Sequence, residues 1–212
     1  MFKRNAKILV LAPHTDDGEM GCGATLHKLS QLGHEISYVA FSSCPESLPA
    51  ELPEDTLIHE VKNATAIIGI HPDNLHIKDF TVRRFSERRQ DILEYLVALR
   101  KDVKPDVIFT PSMNDIHQDH AVIAQESIRA FKNSTIFSYE VIWNHLTFEN
   151  RCFISVSEEN LATKVEALKA YKSQENRTYM SEDFIRSLAL VRGISVQKKY
   201  AEVFDVVRMI ID

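Results

Sequence analysis

KILVLAPHTDDGEMGCGAT, residues 7–25, decides the reading of the chain. Its first part, KILVLAP (7–13), is a near-continuous apolar run of strand length. Such a run fits a strand buried on both faces, as in a parallel sheet. Directly behind it come one histidine and three acids, His14, Asp16, Asp17 and Glu19. Then Cys22, Leu26 and Leu29 recur at i, i+4 and i+7, which is helical spacing, and Gly33 closes the pattern as a C-cap candidate. The order is buried strand, charged turn, helix.

The rest of the chain repeats that alternation. EISYVAFSS (35–43) reads as a second strand and 51–69 as a helix beginning near Glu54, after Pro53. NLHIKDF (74–80) is a third strand. Residues 86–103 form a long amphipathic helix with Ile92, Leu96 and Leu99 on one stripe, ended by Pro105. DVIFTP (106–111) is another buried strand, and Ala121, Ala124, Ile128 and Phe131 carry helical spacing after it. Strands at 134–141 and 151–157, helices near 158–172 and 181–191, and a last strand at 200–210 complete the pattern. Alternation of this kind predicts an α/β fold, a Rossmann-like three-layer arrangement around a mostly parallel central sheet. The 212 residues suit one domain spanning 1–212. The one plausible loop insertion is Cys44–Pro53.

Bulk properties exclude several classes. A formal charge of −5 argues against nucleic acid as a partner, since a phosphate-tracking surface is usually basic. No apolar stretch approaches the roughly 20 residues that span a bilayer, so no membrane insertion is expected. The first residues carry only a short apolar run that stops at charges, which is not the pattern of a signal peptide. The three cysteines, Cys22, Cys44 and Cys152, have no paired spacing. A reducing compartment follows, and the cytoplasm is the expected address.

The charge knot requires an explanation. Ligands of open α/β sheets bind beyond the carboxyl ends of strands, at the point where strand order reverses. HTDD ends the first strand. A second polar knot, NDIHQDH (114–120), follows DVIFTP. If DVIFTP is the fourth strand, the two knots face each other over one crevice. His14, Asp16, Asp17, Glu19, Asp115, His117, Asp119 and His120 can then converge. So many acids together are costly unless a cation compensates for them. Two imidazoles and a carboxylate suit zinc (Zn2+), with a free position for water. Adjacent aspartates can divide the work, one on the metal and one on the water, and His117 and His120 can divide in the same way.

PHTDDGEMGCGATLHKL resembles the (A/P)HPDDE-x-x-GCGGT motif of the LmbE-like, or PIG-L, family of zinc-dependent N-deacetylases, and DIHQDH resembles that family's HxDH motif. Weaker echoes run through VRRFSERRQDIL (82–93), ALKAYKSQ (167–174) and YAEVF (200–204). The resemblance implies a Rossmann-like fold and zinc held by His14, Asp17 and His120. It implies Asp16 as general base, His117 as acid or electrostatic stabiliser, and Asp119 orienting a neighbouring histidine. It implies a small-molecule N-acetylated amino sugar as substrate, and family members are often oligomers, so a homo-oligomer is among the expectations. Arg83 or Arg84, with Arg83 preferred, is the candidate contact to a substrate anion or sugar hydroxyl. The sequence departs from the motif at Thr15, where proline is usual, and at Gly18, where the first glutamate is usual. Gly18 is expected to loosen the turn. Asp115 stands where some members place an oxyanion-binding tyrosine, and an ionised carboxylate cannot donate.

Other readings stay open at this stage. Acids after a strand also suit a helix N-terminus, and His117 and His120 read alone are surface histidines beside a cap at Asp119. The same residues serve a metal-dependent amidase on a non-sugar substrate, or a family-like protein that only binds a glycan or a partner. Of the remaining six histidines, His145 is a candidate pocket residue and the others read as structural or exposed. Trp143 suits either sugar stacking or core packing.

Overall fold

The computed structural model describes residues 2–211. Among them, seven strands form one sheet: β1 (Lys7–Ala12), β2 (Glu35–Ala40), β3 (Leu75–Ile77), β4 (Val107–Pro111), β5 (Thr135–Tyr139), β6 (Cys152–Val156) and β7 (Tyr200–Arg208). The α-helices are α1 (Asp17–Gln31), α2 (Thr56–Ile68), α3 (Arg89–Val103), α4 (Gln118–Ala130), α5 (Glu158–Lys169) and α6 (Glu182–Ile194). The strand order is β3-β2-β1-β4-β5-β7-β6. β1 pairs in parallel with β2 on one side and with β4 on the other, so chain order reverses between β1 and β4. β5 continues the parallel part, and β7 and β6 close that edge in antiparallel register. The fold is α/β with a mostly parallel central sheet.

The apolar run of β1 explains its central place. Ile8, Val10 and Ala12 pack into one core with Leu26 of α1, Val61 of α2, Val165 of α5 and Ile185 of α6. Leu9 and Leu11 point the other way, into a second core with Ile92, Leu96 and Leu99 of α3 and Ile123 of α4. Alternate residues of one strand thus feed two helical layers, which is why the strand reads as continuous rather than alternating. Among the described residues, no helix is long and apolar enough to cross a membrane.

Boundaries differ from the sequence reading where local geometry intervenes. Leu32 is the C-cap of α1, and Gly33 follows it in the left-handed region with φ 80°. The amide of His34 donates to the Leu29 carbonyl (3.1 Å) and that of Gly33 to Ser30 (2.9 Å), a Schellman closure that a side chain at Gly33 would strain. The third strand is shorter than 74–80. Lys78 and Phe80 still donate to the carbonyls of Ala40 and Phe41, but outside the regular ladder. The helix expected over 86–103 opens with a 3-10 turn, Phe85–Arg88, anchored by the buried Phe85. Helix α1 is broken at Cys22, whose φ of −147° and ψ of 18° are non-helical.

Candidate active site

Because β1 and β4 are hydrogen-bonded neighbours, their carboxyl ends deliver both charged knots to one place. A cavity of about 370 Å³ opens there. His14, Asp16, Asp17, Arg83, His117 and His120 all line it. Asp119 is fully buried directly behind it. Of the residues singled out in the sequence, these seven are therefore together.

At the centre, Nδ1 of His14, Oδ2 of Asp17 and Nε2 of His120 form a small triangle. Its edges are 3.0 Å (His14 to Asp17), 3.2 Å (His120 to Asp17) and 3.3 Å (His14 to His120). Ligand atoms 2.0–2.1 Å from a tetrahedral zinc stand about 3.3 Å apart. The three atoms therefore match one face of such a tetrahedron. Ring nitrogens of His14, His117 and His120 also lie within 4.8 Å of one another, so His117 borders the same point.

Each of the two histidines in the triangle has a carboxylate behind it. Nε2 of His14 lies 3.1 Å from Oδ2 of Asp119, and Nδ1 of His120 lies 2.7 Å from Oδ2 of Asp115. With those nitrogens donating, the other nitrogen of each ring turns its lone pair to the centre. Asp119 is held in turn by the backbone amides of Arg83 (2.6 Å) and Phe85 (3.3 Å). Arg83 sits at φ 66°, an uncommon left-handed conformation for a side chain of its size, in a segment that turns this amide onto Asp119. His117 is the N-cap of α4, its Nδ1 accepting from the Asp119 amide at 3.2 Å. The cap expected at Asp119 is thus His117. With Nδ1 occupied as an acceptor, the proton of the neutral ring belongs on Nε2.

The electrostatics follow from burial and pairing. Burial pulls the pKa of His14 down, but Asp17 and Asp119 outweigh it and raise the value to about 9. Burial likewise lowers the pKa of His120, but Asp17 and Asp115 outweigh it and raise the value to about 10. Asp17 is pushed up by burial yet held well below the usual carboxylate range by His120 and His14. Asp16 has no such histidine bond; burial and the neighbouring Asp17 charge lift it to about 6. His117 is lowered by burial and by the charges of His120 and His14. Two acids side by side in the sequence therefore have opposite environments, one paired and one poised to accept a proton.

The structure also moves residues out of the site. Glu19 does not join the crevice: it is fully buried, and both its oxygens meet the hydroxyls of Tyr38 and Tyr171. Gly18 does not loosen the turn, because it is packed against the Tyr38 ring. His145 is outside the cavity lining, with both ring nitrogens buried and unbonded among the described residues. Conversely, Trp143, Tyr179 and Arg177 line the cavity, Trp143 stacking on Tyr179 with centroids 4.0 Å apart. The role of Asp115 behind His120 and the presence of Arg177 were not legible from spacing; Trp143 was, through its aromatic character alone.

Known proteins resemble this chain in sequence and in fold. Residues 9–131 match the family described as PIG-L, GlcNAc-PI de-N-acetylase. The chain is 33% identical over 172 residues to the uncharacterized deacetylase YaiS of Escherichia coli K12, covering 78% of this chain and 90% of that one. It is 24% identical over 225 residues to diacetylchitobiose deacetylase of Thermococcus kodakarensis, covering 95% and 83%. Among solved structures, the conserved protein TT1542 of Thermus thermophilus superposes with a TM-score of 0.84 at 23% identity, covering 98% and 97%. GalB, a 4-carboxy-2-hydroxymuconate hydratase of Pseudomonas putida, does so with 0.78 at 17%, covering 97% and 98%, so the fold alone does not fix the reaction. The strand-end site and the sequence match together lead to one statement: this chain belongs to the PIG-L, or LmbE-like, family.

Proposed function

We propose that the protein is a zinc-dependent hydrolase that removes the N-acetyl group from an N-acetylated amino sugar, giving acetate and a free amine. The observation that carries this reading is the triangle of His14 Nδ1, Asp17 Oδ2 and His120 Nε2, with edges of 3.0, 3.2 and 3.3 Å at the cavity floor. Those three residues would hold the metal, and two nitrogens with one carboxylate oxygen are donors zinc accepts. A bound zinc supplies Lewis acidity and lowers the pKa of its water to about 7. Asp16, lining the same cavity without a histidine partner, takes the proton of the attacking water. His117 presents Nε2–H toward the developing oxyanion, its ring fixed by the Asp119 amide through Nδ1, and the proton taken up by Asp16 passes to the leaving amine. Asp119 and Asp115 act as positioning residues behind His14 and His120. Arg83 and the exposed Trp143 line the cavity where the rest of a sugar conjugate would lie. The similarity to the diacetylchitobiose deacetylase of Thermococcus kodakarensis supports the choice of substrate class.

The test combines elemental analysis with a substrate panel. Protein purified without chelator or a histidine tag should carry about one zinc per chain, lost in His14→Ala and His120→Ala. Acetate should be released from N-acetylglucosamine conjugates. Hydrolysis only of N-acylated amino acids would replace the sugar by a non-sugar amide. Protein that takes up no zinc, iron or cobalt would overturn the hydrolase reading and leave a non-catalytic binding protein. Zinc retained in Asp17→Ala but lost in His117→Ala would transfer the third ligand to His117.

A further inference from the structure

Helix α1 is two helices meeting at a break. Cys22, at φ −147° and ψ 18°, interrupts the hydrogen-bond ladder. A break leaves carbonyls before it and amides after it without helical partners. Here both are met by side chains from distant parts of the chain. Glu202 of β7 accepts from the amides of Ala24 (3.2 Å) and Thr25 (2.7 Å). Lys164 of α5 donates to the Met20 carbonyl (2.6 Å) and pairs with Glu202 at 2.7 Å. Each is only 6% exposed. The carboxylate thus sits at the start of the second helical segment and the ammonium at the end of the first, the signs that the helix dipole favours. Glycines on either side of Cys22 make room: a Cβ at Gly21 would enter the Tyr139 ring, and one at Gly23 would press the Lys164 stem at 3.2 Å.

The short first segment, Asp17–Gly21, begins with the carboxylate of the central triangle and follows directly on Asp16. Neither Lys164 nor Glu202 lines the active-site cavity. A buried ion pair is a weak source of stability, since apolar replacements of both partners are often neutral. Stability alone therefore does not account for two charges at this break. We propose that Lys164 and Glu202 are positioning residues that fix the direction of the Asp16–Gly21 turn and so the placement of Asp17 and Asp16. The proposal rests on the reading of these aspartates as metal ligand and base.

The experiment compares Glu202→Gln with Arg89→Met, which breaks the ion pair of Arg89 with the fully buried Glu126, between α3 and α4 on the other side of the sheet from α1. Zinc affinity is measured by chelator competition and turnover per bound zinc by acetate release. In Glu202→Gln, zinc affinity and kcat should each fall by about tenfold or more, with KM within about twofold, while Arg89→Met stays near wild type in both. If Glu202→Gln does not fold, Lys164→Met/Glu202→Gln, which leaves no unpaired buried charge, is measured in the same way. Zinc affinity and kcat equal to those of Arg89→Met, in whichever variant folds, would overturn the proposal. Zinc affinity is read without substrate. A wild-type protein that bound zinc but hydrolysed no amide would therefore sink the functional reading and leave this test intact.

Discussion

Nε2 of His14 lies 3.1 Å from Oδ2 of Asp119, a residue 105 positions further along the chain. The carboxylate accepts from three groups at once: the imidazole and the backbone amides of Arg83 and Phe85. It therefore ties the β1 end, the segment before α3 and the start of α4 into one unit. Asp119→Ala should weaken zinc binding by roughly 10- to 100-fold, the usual effect of losing a carboxylate behind a metal-bound histidine. Chelator competition measures it, and unchanged affinity would remove Asp119 from the site's support.

Asp16 differs from its neighbour Asp17 in having no imidazole bond, so loss of its side chain should leave the metal in place. Asp16→Ala should keep its zinc while kcat falls by about 10² to 10⁴. Parallel metal analysis and acetate release check this. Full turnover in the variant would end the base assignment; lost zinc would make Asp16 a ligand.

Without metal, His14 and His120 keep their protons to about pH 9 and about pH 10, against an ordinary value of 6.5. A folded-state pKa above the unfolded value means stabilisation that is complete below about pH 6.5 and is lost as pH rises toward 9 and 10. The Tm of chelator-treated protein should fall across that window. Zinc competes with the same protons, so its affinity should rise across it, and zinc binding at pH 7 should release protons. Titration calorimetry in buffers of different ionisation enthalpy reads the release. A metal-free Tm that rises with pH, or binding without proton release, would contradict the pairing.

Trp143 is 42% exposed yet stacked flat on Tyr179 at the cavity mouth. An exposed aromatic face of this kind binds a sugar ring without taking part in the bond-breaking step. Trp143→Ala should raise KM roughly three- to tenfold, the equivalent of about 0.5–1.5 kcal/mol of stacking, and leave kcat near wild type. A fall in kcat at unchanged KM would point instead to a collapsed active-site loop.

The sequence showed the strand–turn–helix at residues 7–31 because an apolar run buried on both faces, a charge knot and helical spacing follow one another without interruption. It showed the pairing of the two knots because strand order alone brings the ends of β1 and β4 together. What spacing could not show was direction. Asp17 and Glu19 are two residues apart, which on a helix is about 200°, so one faces the cavity and the other turns to Tyr38 and Tyr171. The HxxH pattern likewise says nothing about which ring nitrogen points where, so Asp115 behind His120 stayed hidden. At the break around Cys22, Lys164 reaches Met20 across 144 positions and Glu202 reaches Ala24 across 178, and no local pattern marks either.

Gly18 shows how a departure from the family motif is absorbed. A Cβ at this position would lie 2.5 Å from Cε2 and 2.6 Å from the hydroxyl of Tyr38. That ring is fully buried and cannot swing away, and its hydroxyl is engaged by the Gly18 amide at 3.2 Å, the Thr15 carbonyl at 3.0 Å and Glu19. Tyr38 therefore occupies the space a glutamate side chain would need. Gly18→Ala should cost about 1–3 kcal/mol through overpacking, and Gly18→Glu more. Tyr38→Ala should be destabilising by itself, by about 3–5 kcal/mol through the cavity it leaves. In the double variant the two costs should not add, because the new methyl enters the space vacated by the ring, and the coupling should reach at least about 0.5 kcal/mol. Urea denaturation of the two single variants and the double variant measures it. Strict additivity would mean that Gly18 and Tyr38 are independent, and that the glycine answers to some other constraint on the turn.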